Sequence, residues 1–107
     1  MTLLVVFTTL PDHASASGMA HALVERQLVA CAQLEAIESY YSWKGAVQHE
    51  PEYRLMLKTT VDRYSALEAA IRERHPYELP AIYAIPVTHA YTPYAEWVAQ
   101  GVVGQLD

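Results

Sequence analysis

The sequence predicts an α+β, ferredoxin-like domain with the order β-α-β-β-α-β and one extra C-terminal helix. Three observations support this prediction: strand and helix patterns alternate in that order, a Lys-Gly pair joins the second and third strand patterns, and prolines mark the later element boundaries. In the split βαβ arrangement, four antiparallel strands carry two helices on one face. A chain of 107 residues holds one hydrophobic core, so residues 1–107 form a single domain.

The first half of the chain begins with a continuous apolar run at residues 3–9, which is typical of a strand covered on both faces. Asp12 follows Pro11 and is expected to cap the first helix. Its buried stripe is predicted from the helical spacing of Ala16, Met19, Ala20, Leu23 and Val24.

A long β-hairpin is predicted in the middle of the chain. Residues 29–43 read as a long strand with imperfect alternation, which Tyr40-Tyr41 favours, and Lys44-Gly45 reads as a turn. Residues 52–59 alternate between apolar and polar side chains, which indicates a half-buried strand. We expect the two arms to project beyond the body of so small a domain.

The second half predicts another helix, a short strand and a last helix. Asp62 is expected to cap a helix with Tyr64, Leu67, Ala70 and Ile71 on its buried face, and this helix ends at His75 because Pro76 follows. Residues 81–87 form the fourth strand, and Pro86 places it at an edge. Thr92 and Pro93 begin the last helix, with Tyr94, Trp97, Val98 and Val102 on one face. That helix covers part of the bare sheet face, and further copies of the chain are expected to cover the rest.

Composition limits the classes of partner. The net charge of −5 argues against nucleic acid, which requires a basic patch. Charged residues are only 18% of the chain, which favours apolar surface covered by other copies. No apolar run is long enough to span a membrane. Cys31 is the single cysteine, which excludes an internal disulfide and fits a reducing compartment, so we expect a cytoplasmic protein.

Metal ligation is the first chemistry to consider, because histidines and one thiol are present. No two of them lie at H-x-H, H-x₃-H or C-x₂-C spacing, so no single element presents a chelate. Cys31, His75 and His89 lie at element ends and are the candidate metal ligands, brought together by folding or across subunits. Alternatively, Cys31 is a small buried apolar residue and His75 stabilises the C-terminus of a helix.

A second candidate site is a pocket between subunits. Its proposed lining residues are Tyr41, Trp43, Glu52, Lys58, Tyr77 and Glu78. Glu52 and Lys58 are six residues apart on one strand face, or about 20 Å, so they cannot pair within one chain. Interface hydrogen bonds and cation–π contacts are the structural alternative. No nucleophile lies beside a fixed base in any known motif, so we expect no enzymatic activity.

The chain resembles the CutA family of divalent-cation tolerance proteins. The resemblance extends from Val5 to about Trp97 and rests on "TTLPD", "LVACAQ", "SYYSWKG", "EYRLMLKTT", "HPYELPAI" and "PVTH", in this order. It implies a ferredoxin-like subunit, a homotrimer similar in assembly to the PII signalling proteins, a role in copper and divalent-metal tolerance, and no enzymatic reaction. The family's motif positions here are Cys31, Tyr41, Trp43, Gly45, Glu52, Lys58, Thr59, His75, Pro76, Tyr77 and Pro80.

Three departures from the family pattern weaken the expected metal site. Thr8 stands where some members proposed to bind copper have cysteine, Arg74 where they have a second histidine, and Ala32-Gln33 where Val-Asn usually follows the cysteine. In addition, Ala81 replaces the usual glutamate after Pro80, which removes one carboxylate near the proposed pocket. We therefore expect Cu²⁺ or another divalent metal to bind weakly. Three hypotheses stay open: a trimeric metal-response protein, a PII-like trimer that binds a small metabolite or anion through Lys58, Tyr77 and Trp43, and a purely structural module.

Overall fold

The computed structural model describes residues 2–103, and within them the predicted α+β fold is confirmed. The elements are β1 (Leu3–Leu10), α1 (His13–Glu25), β2 (Cys31–Trp43), β3 (Ala46–Thr60), α2 (Tyr64–Arg74), β4 (Ile82–Pro86) and α3 (Thr92–Gly101). The strands form one antiparallel sheet in the order β2-β3-β1-β4. Pro86 lies at the end of the edge strand β4, as predicted. No helix in this range is long and apolar enough to cross a membrane.

The main core lies between one face of the sheet and helices α1 and α2. We call this the helix face, and the strands contribute Val6, Leu10, Leu55 and Leu57 to it. The helices contribute Ala16, Met19, Leu23, Leu67, Ala70 and Ile71. Val24 was predicted in the buried stripe of α1, but it is 42% exposed because it lies at the edge of that stripe.

The helix starts agree with the sequence at α1 and differ at α2. Asp12 caps α1 as predicted, since its Oδ1 accepts a 2.8 Å hydrogen bond from the Ser15 backbone N–H. The prediction that Asp62 caps α2 was wrong. Asp62 lies inside a short 3₁₀ turn that precedes α2, and its carboxylate accepts from the Thr60 hydroxyl at 2.6 Å. This tighter turn delays the helix to Tyr64.

The hairpin extends well beyond the rest of the sheet. β1 ends at Leu10, opposite Tyr53, so residues 46–52 continue the pairing with β2 past the end of β1. Lys44 and Gly45 both adopt positive φ angles, 52° and 83°, which is the geometry of a tight hairpin turn. The molecule is correspondingly elongated, with extents of 44 × 31 × 20 Å.

The second face of the sheet, here called the open face, is partly covered by α3. Side chains alternate along a strand, so Val5, Phe7 and Lys58 point away from the helix face. Leu3, Val98 and Val102 are buried outside the main core, where α3 contacts β1 and β3. Tyr94 and Trp97 were predicted beside them but are 40% and 52% exposed, and their rings stack on each other 5.8 Å apart.

The rest of the open face combines aromatic, apolar and charged side chains. Phe7 stacks on Tyr83 at 5.3 Å, and the Arg54 guanidinium lies 5.6 Å from the centre of the Phe7 ring. Arg54 also pairs with Glu35 at 2.7 Å. Tyr83 and Ile85 of β4 remain about half exposed. A single chain therefore leaves much of this face in contact with solvent.

Two helical glycines should respond oppositely to substitution by alanine. A Cβ at Gly101 would lie 2.9 Å from the Ala30 Cβ, so Gly101→Ala should push α3 away and destabilise the fold by about 1–3 kcal/mol. A Cβ at Gly18 would lie 3.6 Å from its nearest neighbour, so Gly18→Ala should stabilise α1 by about 0.5–1 kcal/mol. Urea unfolding of both variants tests this, and equal effects would contradict the assigned contact between α3 and Ala30.

Candidate functional site

The structure places most of the predicted site residues in two groups, one near the middle of β3 and one near its C-terminal end. We call the first group the glutamate cluster (Tyr41, Glu50, Glu52, His75, Tyr77), and it lies where the hairpin leaves the sheet. We call the second the lysine cavity, which lies beside Lys58. Glu52 and Lys58 are separated by about 20 Å of strand, as the sequence predicted. One chain therefore does not combine them into a single pocket.

The glutamate cluster forms because α2 ends next to the end of β1. His75 leaves the helical conformation ahead of Pro76, and its Nε2 lies 2.8 Å from the Thr9 carbonyl oxygen. Its Nδ1 accepts a 3.2 Å hydrogen bond from the Tyr77 backbone N–H. Because a carbonyl only accepts, the proton of the neutral ring is on Nε2. Both nitrogens of His75 are thus engaged within the chain.

Tyr77 connects this turn to β3. Its hydroxyl donates a 2.6 Å hydrogen bond to Oε2 of Glu52, a side chain that is only 6% exposed. Burial, followed by the bond to this carboxylate, raises the pKa of Tyr77 well above its ordinary value. Burial also lowers the pKa of His75, although the Thr9 carbonyl and the Glu52 charge act in the opposite direction. The cluster therefore favours a neutral imidazole and a protonated phenol.

The outer part of the cluster lies on the hairpin itself. The Tyr41 hydroxyl donates to Oε1 of Glu50, and this bond is the main reason that the pKa of Tyr41 is raised. Trp43 lies at the turn, where the Lys44 ammonium is 5.9 Å from its ring centre. Glu78, also predicted to line the pocket, is exposed. Trp43 and Glu78 have no described hydrogen bond to the cluster within residues 2–103.

The lysine cavity lies between the open face and the chain that leads into α3. It has a volume of about 310 Å³ and is lined by Leu3, Leu4, Val5, Lys58, Val87, His89, Ala90, Tyr91 and Tyr94. The Lys58 ammonium donates a 2.7 Å hydrogen bond to Oε1 of Gln33. Cys31 is the direct cross-strand partner of Lys58 and is partly buried.

The three candidate metal ligands are divided between the two ends of the sheet. Cys31 pairs with Lys58 across the strands, and His89 lines the same cavity as Lys58. His89 Nδ1 is 3.1 Å from the neighbouring Thr88 hydroxyl. His75 lies at the other end, in the glutamate cluster. Within residues 2–103, no group of three or more His, Cys, Asp or Glu side chains is arranged to hold a metal ion.

Several participants were not found from the sequence. Glu50 bonds Tyr41, Gln33 bonds Lys58, and the Thr9 carbonyl bonds His75. The contact of Glu50 could have been found from the sequence, because Glu50 and Glu52 are two residues apart and lie on the same face of β3. The contact of Gln33 with Lys58 depends on strand register, and that of His75 with Thr9 uses a backbone carbonyl. Neither can be recognised from the residue types in the sequence. Thr8, the position of the missing family cysteine, is fully buried, and its hydroxyl has no hydrogen-bond partner in the described range.

Comparison with known proteins identifies the family. The model of the CutA1 divalent ion tolerance protein family matches residues 4–101. The divalent-cation tolerance protein CutA of Thermococcus kodakarensis is 36% identical over 104 residues, which are 97% of this chain and 100% of that protein. The chain therefore belongs to the CutA1 family of divalent-ion tolerance proteins, as the sequence motifs implied.

Solved structures of relatives share the fold. CutA1 from the psychrotrophic bacterium Shewanella sp. SIB1 superposes with a TM-score of 0.91 at 35% identity, covering 95% of this chain and 96% of that one. The periplasmic divalent cation tolerance protein CutA from Archaeoglobus fulgidus gives 0.91 at 25% identity, covering 94% and 98%. A location in the periplasm is thus described for one relative.

The Tyr77–Glu52 hydrogen bond should contribute measurably to stability. Tyr77→Phe leaves a buried carboxylate without its described donor, so we expect a loss of about 1–3 kcal/mol in the free energy of unfolding. Tyr41→Phe is the matched control, because its bond to Glu50 is exposed. Urea unfolding at neutral pH should show a lower midpoint for Tyr77→Phe only. Equal midpoints for the two variants would mean that Glu52 is satisfied in another way.

The lowered pKa of His75 should make stability depend on pH. Near its ordinary pKa of about 6.5, the unfolded chain binds a proton that the folded chain excludes. The contribution of His75 to the free energy of unfolding is therefore fully present above this pH and is lost as the pH falls below it. His75→Asn should flatten the decline in urea midpoint between about pH 7.5 and 5.5. His21→Asn, at an exposed position of α1, should leave the decline unchanged, and an unaltered slope in His75→Asn would exclude this origin.

Proposed function

We propose that the protein is a non-enzymatic, homotrimeric divalent-cation tolerance protein that binds Cu²⁺ or another divalent cation weakly. Membership of the CutA1 family carries this proposal. The thiol of Cys31 and the imidazole of His89 are both suited to copper; Cys31 is the cross-strand partner of Lys58, and His89 lines the same cavity as Lys58. Within residues 2–103, these are the two candidate ligands at that end, so we propose that a complete site includes residues from a second copy.

Assembly into a trimer is supported by the character of the open face. Phe7, Tyr83 and Ile85 form a partly exposed apolar surface, and the hairpin carries Tyr40 and Val47 at 67% and 77% exposure. Surfaces of this kind are typical of protein–protein interfaces. The net charge of −5 does not favour nucleic acid, so a second copy is the partner that we propose. The single free thiol, Cys31, supports a cytoplasmic location.

His75 is the weakest of the proposed ligands. Its Nδ1 lone pair accepts from Tyr77, and its Nε2 proton is donated to Thr9, so a metal ion must displace at least one of these bonds. The residues at positions 8 and 74 are Thr8 and Arg74, neither of which is a soft ligand. Both observations support weak binding.

A second function is supported by the lysine cavity. A PII-like trimer that binds a small metabolite or anion requires a cavity with a positive group, and Lys58 supplies one on an apolar wall. The predicted participation of Tyr77 and Trp43 in the same site requires a neighbouring subunit, because both lie at the hairpin end of β3 in one chain.

Calorimetric titration with Cu²⁺ tests the metal proposal, with Zn²⁺ in parallel because zinc does not oxidise thiols. Cys31→Ser and His89→Gln should each weaken binding about fivefold or more, and His75→Ala should weaken it less. His21→Gln is the control. Sedimentation equilibrium on each variant establishes whether the trimer persists. Identical isotherms for wild type and all three ligand variants would exclude these side chains.

A further inference from the structure

The lysine cavity has the features of a binding site for a small molecule with an apolar body and one negative charge. We propose that it binds a small amphipathic carboxylate, with the Lys58 ammonium as the counter-ion. This inference rests on the second function above and specifies the chemical class of its ligand. The site lies within one chain, between the open face of β1 and β3 and residues 87–94.

The floor of the cavity is apolar and suits a hydrocarbon body. The side chains of Leu3 and Val5 in β1 form one wall, and Val87 forms another. A volume of about 310 Å³ lies at the lower end of the range of roughly 300–1,000 Å³ found for small-molecule pockets. A single ring or a short alkyl chain therefore fits better than a nucleotide.

The charge of Lys58 is not neutralised by the residues around it. Its described hydrogen bond goes to Gln33, a neutral amide, and among residues 2–103 neither an aspartate nor a glutamate lines the cavity. An ammonium group has three donors, so two remain for a ligand. Beside an apolar wall, a charge-assisted hydrogen bond to a carboxylate is stronger than one in water.

The first turn of α3 adds a second favourable element for an anion. Tyr91 and Tyr94 line the cavity, and α3 begins at Thr92 without a side-chain cap. The helix dipole makes this end of the helix positive, although Pro93 supplies no N–H and the Ala95 N–H donates to the Tyr91 carbonyl. His89 contributes a polar group near the same wall. Tyr91 is 77% exposed in the single chain.

A singly charged carboxylate matches this site better than a phosphate ester. The lining supplies one lysine and no arginine, whereas phosphate groups are usually held by several cationic or backbone donors. The net charge of −5 also disfavours a highly charged anion. The competing occupant is a neighbouring copy of the chain that fills the cavity on assembly, and the experiment below distinguishes it.

Phenylacetate is a suitable probe, and phenylacetamide is its neutral control of the same shape. Binding to the full-length assembled protein is measured by calorimetry and by saturation-transfer NMR. Phenylacetate should bind saturably, and phenylacetamide should bind at least about tenfold more weakly. Lys58→Met should weaken phenylacetate binding by at least about tenfold. Lys44→Met is the matched control, because Lys44 is the other lysine of the chain and lies at the hairpin turn.

A second variant keeps the test decisive if Lys58→Met fails to fold. Ala90 lines the cavity and is exposed, so Ala90→Phe should fill the cavity and abolish binding without changing the unfolding temperature. Absence of saturable binding to a trimer confirmed by sedimentation would overturn the ligand proposal and indicate that another copy covers the cavity. Equal binding of the amide, or unchanged binding by Ala90→Phe, would also overturn it. Absence of the trimer would instead contradict the proposed assembly.

Discussion

The antiparallel pairing of β3 with both β1 and β2 is the constraint on which the remaining structure depends. The pairs Leu10–Tyr53 and Cys31–Lys58 fix its register against the two neighbours. Leu55 and Leu57 then face the helices, while Lys58 faces the other way, next to Cys31 and Val5. A shift of one residue would exchange these faces and bury a lysine in the core. The same register makes the hairpin extend beyond the end of β1. It therefore also determines where Glu52 contacts Tyr77, in the segment that follows α2.

The contact between Glu52 and the segment after α2 shows how a short polar segment packs against the end of the hydrophobic core. His75 and Tyr77 connect α2 to β1 and β3 through three hydrogen bonds, each with a partner remote in sequence or held by the turn. Their first consequence is structural, because they provide hydrogen-bond donors to the buried Glu52 carboxylate and to the Thr9 carbonyl near the end of β1. Any ligand that uses His75 must compete with these bonds. The hydrogen bonds of the His-Pro-Tyr-Glu segment thus give it a structural role, which is to connect α2 to β1 and β3.

The fold was predictable from the sequence because its signals are local. Pro76 ends α2, Lys44-Gly45 makes the hairpin turn, and alternation along β3 separates its two faces. The start of α2 was misplaced because the Asp62 carboxylate bonds the Thr60 hydroxyl instead of capping the helix. The grouping of the site residues was predictable only in part. The distance between Glu52 and Lys58 follows from strand geometry, but the contacts of Lys58 with Gln33 and the cavity depend on register and on the path into α3.

The separation of the glutamate cluster from the lysine cavity indicates which contacts an assembly of several chains could provide. In one chain, Lys58 and Cys31 lie at the base of the sheet, whereas Tyr41 and Trp43 lie on the projecting hairpin. A hairpin that extends past its own sheet can reach the open face of a neighbour, where Phe7 and Tyr83 are only partly covered. In such an arrangement, the hairpin aromatics of one subunit approach residues that they cannot contact in their own. In the homotrimer that we propose, the elongated hairpin and the exposed face would be complementary features, and the copies would complete a site that is incomplete in the single chain.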